Sequence, residues 1–140
     1  MRSAFPIVTV IVAGIVYHLA QKTSGAASPW PLLAIAYGVA LAMTLVVAIT
    51  SPVPACWPPT RGVWIAGIFL GLAAFGIEAG FFFIYRAGWP LASASVIASI
   101  SVAGVLALVG IVVFGEHLTA SRLVGLALAM GATILISKAP

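Results

Sequence analysis

The sequence predicts an all-helical integral membrane protein with five transmembrane segments, and three observations carry that prediction. Apolar residues make up 64% of the 140-residue chain and charged residues only 6%, against about a quarter charged in an ordinary soluble domain. The apolar residues gather in five runs close to the roughly 20 residues that a helix needs to cross the hydrocarbon core. Short stretches rich in proline, glycine and serine separate the runs. Because hydrocarbon satisfies no backbone N–H or C=O, each run must bond its own backbone as a helix. Residues 1–140 are expected to form one transmembrane domain.

The first segment, about 4–20, ends where Gln21–Ser28 turns polar and brings Gly25. Arg2 ahead of it and Gly25-Ala26-Ala27-Ser28 after it resemble a secretory signal with its cleavage site. Tyr17, His18, Gln21 and Lys22 part the apolar run from those small residues, so the segment is expected to remain as a span. The second, about 31–49, follows Pro29 and Pro31 and is closed by Ser51–Pro59, whose four prolines cannot continue a helix. The third, about 62–85, reaches the fourth, about 91–114, through the tight Arg86–Pro90 joint. The fifth, about 119–136, follows the equally tight Gly115–Leu118, with Thr119 a natural N-cap. Short joints make the last three an antiparallel series. Trp30 and Trp89 are expected at one membrane surface, and Trp57 and Trp64 at the other.

A net charge of +4 from six singly spread basic residues makes no patch for nucleic acid. The lone Cys56 excludes an internal disulfide and belongs to no metal cluster or redox pair. No phosphate loop, workable carboxylate pair, zinc cluster or nucleophile elbow is present, so neither an enzyme nor a cofactor is expected. With five crossings, Arg2, Arg61 and Arg122 fall on one side and Lys22, Arg86 and Lys138 on the other. Three against three gives the positive-inside rule no preference. Dual topology, with copies inserting both ways and pairing antiparallel, is the favoured reading. The alternative is one fixed orientation set by the N-terminal amine or by residues at the membrane edge.

The third segment carries the residue of most interest. Gly71–Arg86, GLAAFGIEAGFFFIYR, holds one carboxylate, Glu78, and an ionisable group inside a span is a functional hypothesis by default. Steps of three or four residues put Gly71, Ala74, Phe75, Phe82 and Tyr85 on its face, small on one side of the acid and aromatic on the other. The expected substrate- or proton-binding set is therefore Glu78, Phe75, Phe82 and Tyr85, joined by Tyr17 and the titratable His18 near the end of the first segment; His18 otherwise serves as an interfacial anchor. Ser99, Ser101 and Gly104 are expected to let the fourth helix bend as a hinge. The remaining small residues, including Gly67-xxx-Gly71, Gly76-xxx-Gly80, Gly125 and Gly131, read as plain helix packing. Arg86 either draws in an anionic group or anchors its helix end, and anchoring is expected. Glu116 and His117 read as structural parts of a corner.

Phe83 to Ser137 resembles the second half of an EamA repeat, of the drug/metabolite transporter superfamily. The resemblance rests on the Tyr85-Arg86-Ala87-Gly88 loop, the serine-rich fourth helix, the Gly115-Glu116 corner and the glycine-bearing last helix. The first two segments match only in length and spacing. Full-length members look like two five-helix repeats of opposite orientation, so this chain is similar to one half of a ten-helix inverted-repeat transporter. The related small multidrug resistance proteins are antiparallel dimers with an essential glutamate in the first helix. Here the first segment has no acid, so that role is not carried over by position. In the last helix, seven on from Gly125 stands Ala132, with Gly131 one place early, a departure from the glycine spacing of those proteins.

The resemblance implies a secondary transporter of a small organic metabolite or cation, multi-pass in the inner cell membrane. It is expected to be proton-coupled and to work as a homodimer. A carboxyl taken out of water favours its protonated form, so Glu78 would bind a proton or a cationic solute, one excluding the other. The alternatives are a non-transporting membrane subunit and a flippase component for a lipid-linked sugar.

Overall fold

The computed structural model describes residues 4–52, 58–117 and 119–138. Among these, every regular element is an α-helix: α1 (Phe5–Thr23), α2 (Pro29–Thr50), α3 (Arg61–Arg86), α4 (Leu91–Phe114) and α5 (Ala120–Lys138). All five are long and apolar enough to cross a membrane, as the sequence predicts. Arg2, Cys56 and Trp57 lie outside the described residues.

The first helix ends later than the apolar run that starts it. Gln21–Thr23, read from sequence as part of a separator, is the last turn of α1. Glutamine and lysine are good helix formers, so the loss of hydrophobicity at Gln21 does not stop the helix. Gly25 stops it, with φ at +59°, a left-handed conformation that glycine adopts without a Cβ clash. Ser24 Oγ then donates to the Gln21 carbonyl at 3.1 Å and satisfies one acceptor of the final turn. The second helix starts at Pro29 rather than Pro31. Ser28 is its N-cap, its Oγ accepting from Trp30 N at 3.4 Å. Pro29 takes the first helical position, where a missing N–H costs nothing.

Contacts divide the chain into two compact units. One runs from Ala20 to Arg86 and contains the packing of α2 on α3; the other holds the residues up to Leu19 and those from Ala87 on, with α4 packed on α5. In both units most large apolar side chains point outward, Leu70 at 73% and Val112 at 81% exposure among them. In a bilayer these surfaces meet lipid tails, which are as apolar as leucine. Burial concentrates instead in the Ala20–Arg86 unit, on Gln21, Leu33, Phe82 and Tyr85.

Most of the small residues expected to pack helices have open space beside them in the single chain. A Cβ built at Gly67, Gly71, Gly76, Gly80, Gly125 or Gly131 meets nothing within 4 Å, so these glycines pack against no described neighbour in the single chain. Among the described glycines, only Gly104 has a side chain of another helix beside it, with Met130 Sδ of α5 at 3.8 Å from the added carbon.

The corner between α4 and α5 is built as the sequence suggests. Gly115 has φ +63° and ψ +26°, and Glu116 N donates to Gly110 O at 2.9 Å, closing the end of α4. Thr119 Oγ1 accepts from Arg122 N at 3.4 Å at the start of α5. Gly115→Ala is therefore expected to cost about 1–2 kcal/mol, because a Cβ is strained at left-handed φ. Gly110→Ala should be close to neutral. The added methyl comes within 2.8 Å of Glu116 Oε2, but that is the swinging tip of an exposed side chain. Thermal unfolding of the two variants in detergent checks the contrast: equal melting temperatures would contradict it.

Candidate functional site

Glu78 stands on α3 roughly 7 Å from the middle of the helix, at about 1.5 Å rise per residue. It is half-buried. The last turn of α1 brings Gln21 to it: Gln21 Nε2 donates to Glu78 Oε2 at 3.3 Å and to the Glu78 main-chain carbonyl at 3.3 Å. Gln21 is 6% exposed, a depth that polar side chains occupy mostly when bonded. From α2, Tyr37 lies near enough to Glu78 for the two groups to interact electrostatically. Gln21 of α1 and Glu78 of α3 thus form the bonded centre of a small polar cluster, with the Tyr37 phenol of α2 within electrostatic reach.

The cluster retains unused hydrogen-bonding capacity. Gln21 Oε1 and Tyr37 Oη are buried and have no hydrogen-bond partner among the described residues. The other hydroxyls of α2 behave differently. Thr44 Oγ1 and Thr50 Oγ1 donate back to the carbonyls of Ala40 and Val46, at 2.8 and 2.9 Å. Chemically, the cluster offers a carboxyl that can exchange a proton, an amide oxygen that accepts, and a phenol that both donates and accepts.

Gln21 is also a wall of a cavity of about 400 Å³. Lys22, Phe82, Tyr85, Arg86 and the loop 24–27 form the rest of it. Phe82 and Tyr85, 3% and 6% exposed, give it aromatic walls. Arg86 Nη1 donates to the carbonyls of Ala26 and Ala27 at 2.9 and 2.8 Å, which ties the end of α3 to the α1–α2 loop. The Arg86 guanidinium lies 5.9 Å from the centre of the Phe82 ring, and Lys22 Nζ lies 5.7 Å from that of Tyr85, within cation–π range.

Of the residues expected from sequence, the structure gathers Glu78, Phe82 and Tyr85 around Gln21 and the cavity. Phe75 lies on the same helix, 45% exposed and stacked on Trp30 of α2 with centroids 6.1 Å apart and planes 6° off parallel. Tyr17 and His18 touch each other edge to face at 4.9 Å. Gln21, three residues on from His18, is the α1 residue bonded to the acid by a hydrogen bond described above. Ser99, Ser101 and Gly104 lie within an unbroken α4, the two serines exposed.

Sequence reasoning passes over Gln21 and Tyr37. Gln21 hides in a polar stretch taken as a loop; the usable signal is Gly25, a better marker of the helix end than the loss of hydrophobicity. Tyr37 is a single phenol in an otherwise apolar span, and nothing local in the sequence pairs it with an acid forty-one positions on. Lys22 is likewise read only as a charge to be counted.

Compared with known proteins, residues 4–138 match the family model described as the EamA-like transporter family. The match therefore reaches back from the stretch 83–137 over the first two helices. No curated protein and no solved structure matches the chain.

Proposed function

The chain belongs to the EamA-like transporter family, whose members are membrane transporters and not enzymes, and on that premise we propose that it is a proton-coupled secondary transporter of a small organic solute. Glu78 is the coupling group: it takes up a proton or a cationic solute, one excluding the other. The observation that carries this reading is the cluster itself. A carboxyl deep in a span is held by a buried glutamine, and Gln21 Oε1 and Tyr37 Oη are buried and unbonded among the described residues. Buried polar atoms without partners are costly and rare, and a passing polar solute is one way to satisfy them.

The working unit is a homodimer in the inner cell membrane, each 140-residue chain acting as one transmembrane domain. A second copy in the opposite orientation supplies the inverted repeat that many secondary transporters carry within one chain. The glycines of α3 and α5 that touch nothing in the single chain give a partner room for close backbone approach. Protein reconstituted in liposomes tests the function. With an inward proton gradient, at least one solute from a screen of organic cations and metabolites accumulates, and collapse of the gradient releases it. A protein that moves no solute under any gradient contradicts the proposal.

Alternating access also requires a moving part, and Ser99, Ser101 and Gly104 of α4 are proposed for it. A methyl at Gly104 lies 3.8 Å from Met130 Sδ, an ordinary contact, so Gly104→Ala fits the space. It also stiffens the helix by about 1 kcal/mol. The variant is expected to slow solute exchange severalfold with little change in half-saturation. Unchanged exchange would remove the hinge from the account.

A further inference from the structure

We propose that the cavity walled by Gln21, Lys22, Phe82, Tyr85 and Arg86 is a binding site for an oxyanion, the carboxylate or phosphate of a molecule with an apolar or ring-shaped body. Two cations stand on its wall and no acidic side chain does, among the described residues. Arg86 is the stronger indication. Its guanidinium is fixed by two carbonyls through Nη1 and pairs with no carboxylate among the described residues. Nε and Nη2 find no acceptor there either, and two such N–H groups match the two oxygens of a carboxylate or phosphate. Neutral carbonyls orient the cation without cancelling it.

The other walls fit the rest of such a molecule. The buried rings of Phe82 and Tyr85 give flat apolar contact. Gln21, 94% buried by its 6% exposure, keeps Oε1 for an O–H or N–H donor. At about 400 Å³ the cavity lies within the range of small-molecule sites. A site next to hydrocarbon also weakens screening by water, so each cation acts more strongly on an anion. Glu78 adjoins through Gln21, so an anion in the cavity and a proton on Glu78 favour each other. The binding stands without the transport reading; only the passage of the bound molecule rests on it.

Two sources share this chemistry, a soluble organic anion and the phosphate of a lipid headgroup. Benzoate, benzyl alcohol and benzylamine probe the site with one shape and three charges, by calorimetry on the full chain in phosphatidylcholine nanodiscs. Benzoate is expected to bind at least about tenfold tighter than the other two, the size of one charge-assisted hydrogen bond. Lys22→Gln and Arg86→Gln should each lower benzoate affinity by about tenfold and leave benzyl alcohol unchanged. Arg86→Lys, which keeps the charge, guards against a loop that no longer folds, and circular dichroism reports helix content for all three.

Glu78→Gln should retain benzoate binding, which separates this site from the coupling group: a failed transport assay with benzoate still bound sinks only the transporter reading. In nanodiscs containing phosphatidylglycerol, an unchanged benzoate affinity assigns the site to a soluble anion, and a tenfold loss assigns it to the headgroup. Benzoate binding no tighter than benzyl alcohol, or unaltered in both Gln variants that fold, overturns the proposal.

Discussion

Glu78→Gln is expected to bring proton-driven uptake in liposomes down to the level of protein-free vesicles, with helix content and assembly unchanged. Glutamine keeps the shape of glutamate, and its amide oxygen can still accept from Gln21 Nε2, the bond now made to Oε2 at 3.3 Å. Placing an acid at the centre of a span costs about 2.5–3.5 kcal/mol on insertion scales, so removing the charge does not weaken the fold. Only the exchangeable proton is lost. Gln21→Leu is the milder companion: it leaves Glu78 able to titrate but deprives it of its donor, and uptake should fall less than in Glu78→Gln. Wild-type uptake by the Gln variant would remove Glu78 from the mechanism.

The second large effect concerns orientation. Three basic residues flank each membrane face, so their count favours neither insertion. Lys22 and Arg86, counted on the same face, do line one cavity of the Ala20–Arg86 unit. Reporters fused after Pro140 are therefore expected to find C-termini on both sides of the membrane. Two lysines added beside Lys138 should draw that face to the cytoplasm and lower uptake by depriving copies of inverted partners. Co-expression with an oppositely biased variant should restore it. A C-terminus on one side alone in the wild type would exclude dual topology and leave a parallel pair or a different partner chain.

The fold was legible because hydrocarbon leaves so few choices: five apolar runs must be five helices, and the corners announce themselves through Pro29, Gly88, Gly115 and Thr119. Helix ends were less legible where hydrophobicity and helical propensity part company, as at Gln21–Thr23. Glu78, Phe82 and Tyr85 could be found from sequence because one helix carries them at a spacing of three or four. Gln21 could not, since a contact across fifty-seven residues of chain leaves no periodic trace. A small residue permits close packing, but at the glycines of α3 and α5 the single chain offers no described neighbour, so one must come from elsewhere.

The central claim is that Glu78 exchanges a proton as solute binds, and proton counting on purified protein tests it most directly. In weakly buffered detergent with a pH indicator, a transported solute added to the wild type should change the bound protons by up to one per chain. A cationic solute should release protons by displacing them from Glu78. The Glu78→Gln variant should bind or release none. Saturating solute binding with no proton exchange in the wild type, or with equal exchange in the Gln variant, would contradict the account.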